Sequence, residues 1–246
     1  MQWLIPVMTA IWGVWKWSQE HQQERLKERS RLSALYVNPF LSASEDLQSR
    51  IYHILCLNGL RFLRERYPAG IYAEETLYLI VRWFGWFAVL LRYSPYTQDP
   101  IMIRLAEAVR NAFASPAYPV GPFTFLRPEQ RTLGKMVMSR YKGQYGIEFD
   151  TISWTDFMER LKVPPLAEDL VIQQSLQALR QADGAETITG WERLAEVQSR
   201  LVDLLYYVEA REGFTLFPAG VRQKCSGPAV KLPGGAGAPE AVLTSS

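Results

Sequence analysis

The residues with chemistry to offer are few and scattered. His21 and His53 are the only histidines, and Cys56 and Cys225 the only cysteines. Neither histidine has a second His, Cys or carboxylate at ligand spacing on a strong motif, which argues against a His-based zinc site and against a Ser-His-Asp triad. Cys56 falls in a helical apolar pattern and reads as a small apolar side chain. Cys225 falls in a C-terminal tail, so the pair implies no disulfide framework and suits a reducing compartment. Glu74 and Glu75 are neighbours, and carboxylates at i, i+1 point to different sides of a helix. Their place in a first helical turn accounts for them. Lys142-Gly143-Gln144-Tyr145-Gly146 carries glycines but not the phosphate-loop pattern. The sequence therefore predicts no catalytic residue, no cofactor and no metal, and leans away from an enzyme. The best recognition surface is the polar loop Ser94–Pro100 with the tyrosine before it: Tyr93, Tyr96, Gln98 and Asp99.

One stretch limits what the chain can be: QWLIPVMTAIWGVWKW at Gln2–Trp17. No charge occurs from Trp3 to Trp15, about 13 residues or roughly 20 Å of helix. A hydrocarbon core is about 30 Å thick, so the run is short for a span. On a helical wheel Gln2, Pro6, Thr9, Gly13 and Lys16 form a small-and-polar stripe. Such a stripe suits packing on another membrane helix or facing water from a helix lying in the headgroup region. Trp3, Leu4, Val7, Ile11, Trp12, Trp15 and Trp17 are the anchor residues, with the tryptophans near the interface. A cleaved signal peptide would carry positive charge before the run and a small-x-small site after it. Here Lys16, Arg25, Lys27, Arg29 and Arg31 all follow. By the positive-inside rule the body is expected on the cytoplasmic side.

Residues 18–35 read as a charged stalk helix, with Glu24–Lys27 and Glu28–Arg31 pairs. Asn38-Pro39 is expected to break it, since the residue before proline is pushed out of the helical region. A helical body then covers residues 36–212. Its expected helices start at Ser42 or Ser44 and run to Tyr67, then cover Ile71–Tyr93 (turning to strand near Phe87–Tyr93), Ile101–Phe113, Glu129–Tyr141, Thr151–Leu161, Leu166–Ala182 and Thr189–Ala210. The last two are expected to form an antiparallel hairpin around Asp183-Gly184. Residues 213–246, rich in Gly, Pro, Ala and Ser, read as an irregular or disordered tail. The fold class is thus all-α: an N-terminal membrane helix and a multi-helix body. Lys plus Arg number 27 against 25 Asp plus Glu, so no nucleic-acid partner is expected.

The segments YVNPFLSASEDLQSRIY, YAEETLYLIVRWFGW and YSPYTQDP resemble a family of uncharacterised, N-terminally anchored proteins of cyanobacteria. The resemblance covers roughly residues 1–160 and implies a photosynthetic-membrane setting. It transfers no catalytic residue. The function expected from all this is a membrane-anchored interaction protein, an accessory subunit or assembly factor of a membrane complex, which the resemblance places at the thylakoid. Its partners would be the membrane and a membrane protein. The alternatives are a membrane-bound enzyme without a recognisable motif and a peripheral protein that binds anionic lipid.

Overall fold

A computed structural model describes residues 4–57, 59, 60, 66, 71–93, 99–144, 146–182, 187–213 and 222–225. The chain is mostly helical. Helix α1 is Leu4–Leu32 and α2 is Asn38–Cys56, joined by a π-helical turn at Ser33–Val37. Then come α3 at Ile71–Tyr93, α4 at Pro100–Phe113 and α5 at Arg127–Val137. A hairpin of β1 (Met138–Gly143) and β2 (Gly146–Thr151) follows, then α6 at Trp154–Arg160. A 3₁₀ turn at Leu166–Glu168 leads into α7 (Leu170–Gln181), and α8 is Trp191–Glu212.

Short polar side chains set several of these starts. Asp99 caps α4 by accepting from the Met102 N–H at 2.9 Å, with Pro100 in the first turn where its missing N–H costs nothing. Ser153 does the same for α6 at 3.1 Å and Asp169 for α7 at 3.0 Å. Gly213 ends α8 in the left-handed region, φ 69°, and its N–H donates to the Glu209 carbonyl.

Helix α3 is the centre of the core. It packs on α2, α5 and α7, while α8 packs on α4 and α2. Trp83, Phe84 and Phe87 meet Phe40, Phe113 and Phe125 in one aromatic cluster; Trp83 stacks on Phe87 at 5.2 Å, and Phe84 meets Phe113 edge-on at 5.0 Å. Trp83 is completely buried, and its indole N–H donates to Ser44 Oγ at 3.0 Å. Helices α3 and α5 cross at two glycines. A Cβ on Gly134 would lie 2.7 Å from the Phe84 carbonyl carbon, so only hydrogen fits there.

Several expectations are corrected. Asn38-Pro39 does not break the chain. Val37 and Asn38 stay right-handed helical, and the Asn38 N–H donates to the Ser33 carbonyl five residues back. The wider π turn is where the clash of a proline ring with the preceding turn is absorbed. The helix expected over Glu129–Tyr141 stops at Val137. A hairpin replaces its end, with Met138 opposite Thr151 and Lys142 opposite Ile147. Phe149 is buried and its neighbour Asp150 exposed, the alternation of a one-sided strand, while Ile147, on the same face as Phe149 but next to the turn, is exposed. Helix α3 stays helical through Tyr93. Helices α7 and α8 do not pack as a hairpin: each lays its apolar stripe on a different partner, α7 on α3 and α8 on α4 and α2. Cys56 and Cys225 are not independent thiols. They form a disulfide across 169 residues, with Cα atoms 6.3 Å apart. It fastens the segment Arg222–Cys225, which was expected to be part of the tail. Gln198 brackets that segment, donating to the Gln223 carbonyl and accepting from the Cys225 N–H. Arg222 reaches Glu45 at 2.7 Å and Glu209 at 2.9 Å.

Among the described residues no helix is long and apolar enough to cross a membrane.

Candidate functional site

Two features of the surface have the character of sites. The first is α1. Its described side chains from Trp12 to Ser30 are exposed but for a half-covered Ser18, and the element it packs on most is the π turn. Trp12, Trp15 and Trp17 are 61%, 59% and 61% exposed. At 3.6 residues per turn, Trp12 and Trp17 lie about 140° apart around the axis and Trp15 and Trp17 about 160° apart. Trp12 and Trp15 thus share one side, about 60° apart, and Trp17 points to the other, all within about 8 Å of the helix's length. Lys16 sits 5.6 Å from the Trp12 ring centroid, and Trp17 packs on His21 at 4.7 Å. Further along, the expected Glu28–Arg31 pair forms at 3.2 Å, while Glu24 lies 3.5 Å from His21. Exposed pairs of this kind contribute little, about 0.3–0.5 kcal/mol. Leu4, Val7 and Ile11, and the stripe residues Pro6, Thr9 and Gly13, lie on the helical backbone; their side-chain surroundings, and Trp3 altogether, are outside the described residues.

The expected recognition loop divides. Tyr96 and Gln98 are outside the described residues. Asp99 is buried. Besides capping α4 it accepts from the Tyr207 hydroxyl at 3.0 Å and pairs with Arg211. Burial, and then the bond to Asp99, hold the Tyr207 hydroxyl above its ordinary pKa. Tyr93 is half-buried between Tyr36, at 5.7 Å, and Phe149, at 4.7 Å. Both residues thus have structural work inside the body.

The second feature is a groove of about 780 Å³ between α2, α3 and α6. Two ion pairs cross it. Arg50 Nη2 reaches Glu75 Oε2 at 2.6 Å, and Arg82 Nη1 reaches Asp46 Oδ2 at 2.7 Å. Arg50 Nη1 and Arg82 Nε are buried and donate to nothing among the described residues. His53, Tyr78 and Trp154 complete the walls. Burial, and then the Arg50 charge, hold the His53 imidazole below its ordinary pKa, so its neutral form is favoured at pH 7. The Tyr78 hydroxyl is committed to the Ile152 carbonyl at 2.7 Å. The groove can therefore hold a polar molecule against matched charges, with neutral His53 as a proton acceptor on its wall. Sequence reading missed it because Asp46, Arg50 and His53 come from one helix and Glu75 and Arg82 from another. The one legible hint was an arginine at position 82 in an otherwise apolar run.

Among the described residues no three His, Cys, Asp or Glu side chains are grouped to hold a metal ion. No protein-family model, curated protein or solved structure matches the chain.

Proposed function

We propose that this protein is an interaction protein held at a membrane surface by α1, and that its body serves a membrane complex as an accessory subunit or assembly factor. The observation that carries the reading is the set of exposed tryptophans at Trp12, Trp15 and Trp17 on a helix extending from the body. A docking helix for a protein groove concentrates its apolar residues on one side. Rings on two opposed sides within about 8 Å of helix suit the headgroup zone, where an indole is at home whichever way it points. The uncharged segment before them would enter the acyl region, and Lys16, Arg25, Lys27 and Arg31 after them would face anionic headgroups, each adding about 1 kcal/mol. The helix would enter one side of the bilayer without spanning it. The likeness to anchored cyanobacterial proteins suggests the thylakoid as that membrane.

Deleting residues 1–17 should release the protein from native membranes to the soluble fraction. A truncated protein that stays in the pellet after a high-salt wash sinks the tether. A stoichiometric partner co-purified from gently solubilised membranes, and lost on that deletion, is the result expected of an accessory subunit; pure bait would remove that half of the proposal.

A second reading rests on the groove. It treats the body as a small-molecule binder or enzyme that acts on a polar compound between Arg50 and Arg82. A compound that raises the melting temperature of the native chain, but not of Arg82→Gln, is the expected result. Equal shifts in both proteins would count against it.

A further inference from the structure

A smaller pocket, remote from the groove in its lining, opens between α3, α4 and α5. It has a volume of about 240 Å³ and is lined by Phe84, Phe87, Ala88 and Leu91 with Arg92, Arg110, Gln130 and Arg131. No carboxylate lines it among the described residues. Its walls are apolar and every charge on them is a guanidinium, so the local potential is positive in a poorly solvated space.

The three arginines are not equivalent. Arg110 is nearly enclosed and fixed. Its Nε donates to Gln130 Oε1 at 3.2 Å, its Nη1 to Glu107 at 3.0 Å, and its guanidinium lies 5.8 Å from the Phe87 centroid. Gln130 is fixed in turn, donating to the Phe125 carbonyl at 2.6 Å and the Arg110 carbonyl at 3.1 Å. Among the described residues Arg110 thus keeps Nη2 uncommitted on a side chain held by two hydrogen bonds. Arg92 and Arg131 are exposed; among the described residues Arg92 meets only the Tyr93 ring and Arg131 has no charged partner. Arginines that merely cover an apolar wall need no fixed companion. Here one anchored donor and two free ones surround a preformed apolar hole.

We propose that this pocket binds a small amphipathic carboxylate, with an acyl chain of medium length or a single aromatic ring between Phe84, Phe87, Ala88 and Leu91 and its carboxylate at the arginines. Carboxylate matches the forked donors of guanidinium. The size argues for a ligand below the usual drug-sized range, for which pockets run from about 300 Å³. The inference is independent of the membrane reading.

The test is calorimetric titration of the full chain with octanoate, and with octanol as the uncharged control. We expect one octanoate per chain, at least tenfold weaker binding of octanol, and at least tenfold weaker binding of octanoate to Arg92→Gln/Arg131→Gln. Those two side chains are exposed, so the double variant should melt like the native protein. Ala88→Trp, which fills the pocket, should remove binding while near-native ellipticity reports that it has folded. Octanol binding as tightly as octanoate, or an unchanged affinity in the double arginine variant, overturns the proposal. The same carboxylate could come free from solution or as a fatty acid taken from a bilayer. The full-length Trp12→Ser/Trp15→Ser/Trp17→Ser variant separates these. Unchanged uptake of octanoate with lost uptake of dodecanoate from phosphatidylglycerol vesicles identifies delivery from the membrane; unchanged uptake of both identifies capture from solution. Loss of octanoate binding in that variant would overturn the pocket as the site.

Discussion

Two helices of this protein are built from much the same material. Helix α1 begins LIPVMTAIWGVWKW, and α3 contains LYLIVRWFGWFAVLL. In α3 the tryptophans Trp83 and Trp86 are 0% and 3% exposed, whereas Trp12, Trp15 and Trp17 of α1 are each more than half exposed. What separates these tryptophans is company. Helix α3 meets neighbours on several sides: Ser44 for the Trp83 N–H, glycines where α5 crosses, and Asp46 for the charge of Arg82. Nothing comparable surrounds the described part of α1. A Trp-rich apolar helix is therefore a core or an anchor according to what the rest of the chain supplies, and composition alone does not say which.

The sharpest way to break this comparison is to truncate the tryptophans on each side. Trp83→Ala should cost about 3–5 kcal/mol in chemical denaturation, the range for a large buried aromatic. Replacing Trp12, Trp15 and Trp17 together by serine should change folding stability by no more than about 0.5 kcal/mol, while vesicle co-sedimentation falls sharply. Similar stability losses in the two variants would mean that α1 is packed on the body in solution.

A next largest effect is expected at Arg193. Its guanidinium is buried and donates to the carbonyls of Ala112, Phe113, Ser115, Tyr118 and Pro119 at 2.8–3.2 Å. It completes the last turn of α4 and fixes the connector after it, in the way charged donors serve a helix C-terminus. Arg193→Met should cost about 3 kcal/mol, because carbonyls left buried without donors bear the full desolvation penalty. Amide exchange in residues 114–119 should accelerate, and that in α1 should not.

Gly134→Ala probes the contact that α1 lacks. The added carbon would meet the backbone of Phe84 and Gly85 at 2.7–2.9 Å, which cannot yield as a side chain can. A loss of about 1–3 kcal/mol is expected, read from the urea midpoint.

The smallest effect concerns pH. Burial, opposed by Arg222 and reinforced by Glu209, raises the Glu45 carboxyl above its ordinary 4.5. The folded state thus holds this proton more tightly than the unfolded chain. The stability that this provides is complete below 4.5 and is lost as pH rises through the raised value. Glu45→Gln should therefore melt slightly above the native protein at pH 8, by less than about 1 kcal/mol of stability. The gap should close or reverse by pH 4. A larger gain at pH 4 than at pH 8 would contradict the assigned direction.

Much of the helical framework was legible because local signals carry it: Glu74 and Glu75 opening α3, Pro128 opening α5, and the regular stripe of Leu194, Val197, Leu201 and Leu205 in α8. What was not legible is what long-range pairing decides. The hairpin was hidden because Lys142-Gly143-Gln144-Tyr145-Gly146 resembles a helix end as readily as a strand turn, and only the cover that Phe149 finds over Tyr93 favours the strand. Pro39 signalled a break, yet a local π turn absorbs it. Cysteines 169 residues apart offer no spacing to read. The same holds for the sites. The exposed tryptophan run was conspicuous in one segment, while each pocket draws on separate helices whose pairing no single segment encodes.

The π turn has a mechanical consequence. Because it carries α1 into α2 without a flexible joint, and because Phe40, Leu47 and Ile51 of α2 lie in the core, α1 behaves as a lever arm fixed to the body. From Trp17 to Leu32 that arm is about 22 Å long. If the tryptophans sit at the headgroups, the arm's length sets the standoff of the body, and its tilt sets which pocket mouth faces the bilayer and which faces away.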